Sequence, residues 1–161
     1  MIESQYLSTL RKIHARLKDC RAKWVVTGSL GMALQDMDIE VHDIDIQTDQ
    51  EGAYEIESKF PEYVVAPVHY SESARIHSHF GKLEIDGVKV EIMGDIQKRV
   101  DEQTWEEPVK VEHYRRWVEI EGMQIPVLAL EYEYQAYLKL GRVEKAEILR
   151  KWLQNQGKAA G

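Results

Sequence analysis

From Ile2 to Cys20 the apolar positions Ile2, Tyr6, Leu10, Ile13, Leu17 and Cys20 recur at three- and four-residue steps, the period of an amphipathic helix. Its other face carries Arg11, Lys12, Arg16 and Lys18. Lys23 to Thr27 is rich in β-branched residues and stops at Gly28, which predicts a short buried strand, and a short helix through Ser29 to Gln35 follows. Asp43-Ile44-Asp45-Ile46-Gln47-Thr48 alternates polar with apolar at period two, so Ile44 and Ile46 enter the core while Asp43 and Asp45 share the opposite face. Asp49 to Phe60 predicts a crossover helix that begins at an acidic cap and ends before Pro61.

Beyond it, Tyr63 to Tyr70, Ile76 to Ile85 and Val88 to Met93 predict strands, the last two joined by Asp86-Gly87, a strong two-residue hairpin signal. Gln97 to Pro108 is polar and predicts a loop or short helix, and Val111 to Glu119 with Met123 to Leu128 predicts a second hairpin around Glu121-Gly122. Leu130, Tyr134, Tyr137 and Leu138, then Val143, Ala146, Leu149, Trp152 and Leu153, predict two helices broken near Gly141. The whole predicts an α+β domain over residues 1–155, a mixed sheet flanked by helices with two of them C-terminal, and a flexible tail over 156–161.

Composition agrees with one globular unit: the chain has 161 residues, 43% hydrophobic and 30% charged. No apolar run approaches the roughly 20 residues a membrane helix needs, and the N-terminus lacks the apolar stretch of a signal peptide, so a soluble cytoplasmic protein is expected. One cysteine, Cys20, rules out an intramolecular disulfide and any zinc site built from several thiolates. A net charge of −7 argues against sequence-independent binding of duplex nucleic acid, which rests on neutralising many phosphates.

The candidate chemistry lies on the polar strand faces. Gly28-Ser29 closes a strand and opens a helix, where backbone N–H groups can hold phosphate oxygens and glycine permits their close approach. Asp43 and Asp45 project from one strand face roughly 7 Å apart before their side chains converge. Glu91 lies between the inward Val90 and Ile92 and so faces away from the core. Hard oxygen ligands in this number suit Mg²⁺, and three carboxylates on one sheet face repel each other without a cation. His77 and His79 alternate along a strand, but no cysteine or third histidine stands at a matching spacing, which favours a polar strand pair over a zinc site.

Gly28-Ser29, the Asp43-Ile44-Asp45 pair and the later strand carboxylate resemble the signature of the nucleotidyltransferase superfamily, which includes antibiotic nucleotidyltransferases and DNA polymerase β. The motif region spans residues 24–93. Within that superfamily the chain is most similar to small, stand-alone bacterial members, whose helical ending Leu128 to Leu153 resembles, with Leu130-Glu131, Lys139-Leu140 and Arg142. It departs from the pattern in carrying Glu91 where many members have aspartate, and Glu144-Lys145 where many have Lys-Asp. The resemblance implies the nucleotidyltransferase fold and transfer of a nucleoside monophosphate from a nucleoside triphosphate, ATP among them, to an acceptor hydroxyl on a small molecule or macromolecule. It further implies a two-metal Mg²⁺ site on Asp43, Asp45 and Glu91, phosphate contacts from Gly28 and Ser29, and stabilisation of departing pyrophosphate by Lys139 and Arg142. The alternative is a non-catalytic nucleotide- or metal-binding protein of the same fold acting as a partner component. Because sheet and closing helices use most of the chain, a second copy or a partner protein is expected to wall the acceptor pocket.

Overall fold

A computed structural model describes residues 2–160, and for 157–160 the backbone alone. The helices are α1 (Ser4–Leu17), α2 (Gly28–Leu34), α3 (Gln50–Ser58), α4 (Leu130–Lys139) and α5 (Val143–Ala160). The strands are β1 (Val25–Thr27), β2 (Ile44–Thr48), β3 (Val64–Glu72), β4 (Ile76–Ile85), β5 (Val88–Lys98), β6 (Arg115–Ile120) and β7 (Met123–Leu128). They form one seven-stranded mixed sheet in the order β3-β4-β5-β2-β1-β7-β6. β2 runs parallel to β5 and antiparallel to β1, which in turn runs parallel to β7.

The main core lies between one sheet face and α1 and α3, where Leu10 and Ile13 of α1 and Ala53 and Ile56 of α3 meet Ile44, Ile46, Val90 and Ile92. Each fully buried leucine, isoleucine or valine among them contributes about 1.5–3 kcal/mol. A one-residue slip of β2 would turn Asp45 into that core and Ile44 and Ile46 out of it, so the isoleucines fix the face the carboxylates take. A second cluster joins α2 to the C-terminal pair through Met32, Leu130, Tyr137, Ala146 and Leu149, and a third packs Val109 and Val111 with Val25, Ile96 and Leu128 of the sheet.

Local chemistry sets the boundaries. Asp49 caps α3 by accepting the Gly52 N–H at 2.6 Å. Asp86-Gly87 and Glu121-Gly122 all adopt positive φ (51° and 84°, 49° and 80°), the backbone of a type I′ hairpin turn, so both predicted hairpins form. Several boundaries differ from the sequence reading. β5 runs on to Lys98 through a register shift at Asp95 (φ 51°), after which Ile96 and Lys98 are buried on the face of Glu91 and Met93; the lysine hid this, being buried against Glu106 at 2.9 Å and Tyr132 at 3.2 Å. The segment from Val111 opens with a single 3₁₀ turn, and β6 starts only at Arg115. α5 continues through residues 156–160, and Gly161, the last residue of the expected tail, lies outside the described residues.

Candidate active site

Parallel pairing of β2 with β5 sets Asp45 directly beside Glu91, and Asp43 stands two residues before Asp45 at the entry to β2. One carboxylate oxygen from each of Asp43, Asp45 and Glu91 lies within 4.8 Å of the others, the one such acidic or histidine-containing cluster among the described residues. Asp45 is the most enclosed in physical terms: its Oδ1 is buried with no hydrogen-bond partner. Burial first, then the charges of Asp43, Glu91 and Glu133, push its carboxyl from 3.8 up to about 7. A buried, unpartnered carboxylate oxygen among like charges is a donor set suited to a hard divalent cation, so the residues fit Mg²⁺.

Gly28 is packed against this cluster. Its φ is +68°, and a Cβ there would collide with Asp45 Oδ2. Its N–H, which the sequence reading offers to phosphate, is taken by Glu133 Oε1 of α4 at 3.1 Å. Glu133 is only 4% exposed, and burial raises its carboxyl to about 7 against the opposing hydrogen bonds of Gly28 and Tyr137. Ser29 Oγ accepts the His42 N–H at 3.2 Å and so ties the start of α2 to the segment entering β2.

Ser29, His42, Asp43, Asp45, Glu91, Tyr137, Arg142 and Lys145 line one cavity of about 270 Å³. Arg142 and Lys145 both lie over the Tyr137 ring, at 5.8 and 5.5 Å, and bring positive charge to the side facing the acidic cluster. Gly28, Ser29, Arg142 and the three carboxylates are therefore together. Lys139 is not among the residues lining this cavity: its Nζ pairs with Glu106 Oε2 at 3.0 Å, on the carboxylate that also holds Lys98.

Glu133 escaped the sequence reading, although a signal was present. Leu130, Glu133 and Tyr137 form one buried helical face, and an acidic residue on that face stands out once the phase is taken through Glu133 rather than Tyr134. His77 and His79 make no metal cluster: His77 stacks on Trp105 at 3.5 Å, and His79 packs against Tyr70 and Tyr54. Arg75 donates to the Leu140 carbonyl at 2.9 Å, where it buttresses the end of α4. Lys82 pairs in register with Glu91 on the neighbouring strand. Among the described residues no helix is long and apolar enough to cross a membrane.

The model of the aminoglycoside-2''-adenylyltransferase family matches residues 9–151. The crystal structure described as a "putative nucleotidyltransferase" from Thermotoga maritima is 64% identical, with 96% of each chain covered and a TM-score of 0.86. ANT(2'')-Ia in complex with adenylyl-2''-tobramycin matches at 12% identity over 92% of this chain and 90% of that one, with a TM-score of 0.60. The lincomycin-bound lincosamide antibiotic adenylyltransferase LnuA matches at 15% identity over 81% and 83%, with a TM-score of 0.53. The last two share the fold. No curated protein matches the chain.

Proposed function

We propose that this chain, which belongs to the aminoglycoside-2''-adenylyltransferase family and is a nucleotidyltransferase by family and fold, moves a nucleoside monophosphate from a triphosphate to an acceptor hydroxyl with Mg²⁺. The observation that carries the reading is the convergence of Asp43, Asp45 and Glu91 within 4.8 Å around a carboxylate oxygen that has no protein partner. Asp43, Asp45 and Glu91 would hold Mg²⁺, which when bound neutralises the phosphates and the charge that develops on the attacking and leaving oxygens.

The chain's own residues supply the rest. Ser29 and the small Gly28 let the triphosphate approach Asp45 closely, and Arg142 and Lys145 face the same cavity as cations for the pyrophosphate end. The acceptor oxygen forms a bond to the α-phosphorus as the bond to the β-phosphate oxygen breaks. The hydroxyl proton passes to Glu91 and pyrophosphate leaves. Lys139 stays with Glu106 and takes no part. The nucleotide and the hydroxyl acceptor are the partners this requires.

The test combines calorimetry with Mg²⁺ and ATP and a pyrophosphate-release assay on the parent, Asp43→Asn and Asp45→Asn. The reading predicts Mg²⁺-dependent nucleotide binding and release by the parent and loss of both in each variant with the fold intact. Unchanged affinity in both variants contradicts it.

A further inference from the structure

We propose that β6 is a self-association edge, which pairs antiparallel with β6 of a second copy of this chain about a two-fold axis at Trp117. The sheet has two edges, β3 and β6. β3 is poorly suited to an added strand, because Pro67 lacks an N–H and the pairing with β4 shifts register twice along its length. β6 carries neither protection. It is free of proline and pairs with β7 without a shift from Arg115 to Ile120.

The register of β6 fixes which backbone groups are free. The Ala129 N–H donates to the Tyr114 carbonyl at 2.9 Å, and Arg115 stands opposite Leu128. Antiparallel strands alternate hydrogen-bonded with non-bonded residue pairs, so Tyr114, Arg116, Val118 and Ile120 bond toward β7. Arg115, Trp117 and Glu119 therefore direct their N–H and C=O groups away from the sheet. Their side chains share one face, opposite to that on which Val118 and Ile120 pack against the main core. On that face Trp117 is 57% exposed, with the Arg115 guanidinium 5.1 Å from its ring centre. Among the described residues neither Arg115 nor Glu119 forms an ion pair.

Charge complementarity selects both the occupant and the register. Pairing about Trp117 sets Arg115 of each copy opposite Glu119 of the other, on the face where both are unpaired, and brings the two exposed indoles together at the axis. An axis at Arg116 would instead oppose the two copies of that arginine, like charge against like, and an axis at Val118 would lose both Arg115–Glu119 pairs. The second β6 lies four strand spacings from β2, roughly 19 Å. Each chain thus keeps its own acidic cluster, and the pairing stands or falls independently of the nucleotidyl-transfer reading.

The test is sedimentation equilibrium on the full chain at about 1–100 µM, for the parent, Trp117→Pro, Glu119→Arg and the double variant Arg115→Glu with Glu119→Arg. Proline at 117 removes an N–H that β7 does not use, so it blocks the second copy while the chain's own ladder stays intact. The expected result is a parent whose mass reaches or rises toward twice that of one chain. Association should weaken about tenfold or more in Trp117→Pro and in Glu119→Arg, since the two-fold axis makes each substitution act twice, and the double variant should return to within about threefold of the parent. That recovery separates a lost ion pair from a damaged fold, and it decides the matter if Trp117→Pro does not fold. A parent that stays monomeric throughout overturns the proposal, as does a dimer that persists in Trp117→Pro or Glu119→Arg, or a double variant that fails to recover.

Discussion

Glu133 on α4 accepts the backbone N–H of Gly28 at 3.1 Å, so a buried carboxylate from the C-terminal helical pair holds the strand end that abuts Asp45. The bond joins two parts of the chain far apart in sequence and sets the distance between the acidic cluster and its roof.

Removing that acceptor exposes its value. Glu133→Ala leaves a buried N–H unpaired and is expected to cost about 1–3 kcal/mol, with a further loss from the emptied volume. Glu133→Gln keeps an oxygen for Gly28 and removes the ionisable group, and at pH 8 it should be at least as stable as the parent. Urea denaturation of the two variants at that pH checks the difference.

Gly28→Ala forces a side chain into a left-handed backbone at φ +68° and against Asp45 Oδ2. The backbone alone costs roughly 1–2 kcal/mol. Because the clash falls on Asp45, Mg²⁺ affinity should drop as well, which calorimetry on folded Gly28→Ala would register.

The pH dependence follows from two raised carboxyls, Asp45 from 3.8 and Glu133 from 4.5, each to about 7. Between the ordinary and the raised values these two groups bind more protons in the folded chain than in the unfolded one, so without metal their contribution to stability is greatest below about pH 4, declines as pH rises and levels off above about 7. Mg²⁺ favours the ionised Asp45 and should reverse the trend, binding more tightly as pH rises toward 8 and releasing protons. Urea midpoints at pH 5 and 8, with and without Mg²⁺, should therefore diverge in opposite directions.

Much of this was legible in the sequence because the inward residues are apolar where the sheet demands it. Ile44, Ile46, Val90 and Ile92 all reach the main core, and that alone puts Asp45 and Glu91 on the opposite face. The hairpin turns were legible for the same local reason, Asp-Gly and Glu-Gly tolerating positive φ. What stayed hidden is what long-range pairing makes possible: Lys98 can end a strand in the interior only because Glu106 and Tyr132 meet it there, and Glu133 can sit on an apolar helix face only because Gly28 donates to it. The same pairing withdraws Lys139, a surface cation by helical phase, onto Glu106.

Glu91 separates binding from transfer. Asp43 and Asp45 remain to hold a metal–nucleotide complex in Glu91→Gln, while the proton acceptor for the hydroxyl is gone. Nucleotide affinity within a few-fold of the parent and loss of pyrophosphate release by about 10²-fold or more are expected. Undiminished release would remove Glu91 from the chemistry.

The acidic cluster as a divalent-metal site is tested most directly by anomalous diffraction from crystals soaked with Mn²⁺ and a non-hydrolysable ATP analogue. The expected result is an anomalous peak bounded by Asp43, Asp45 and Glu91, with the analogue's phosphates on the side of Ser29, Arg142 and Lys145. A bound nucleotide with its metal elsewhere, and no peak among the three carboxylates, would contradict it.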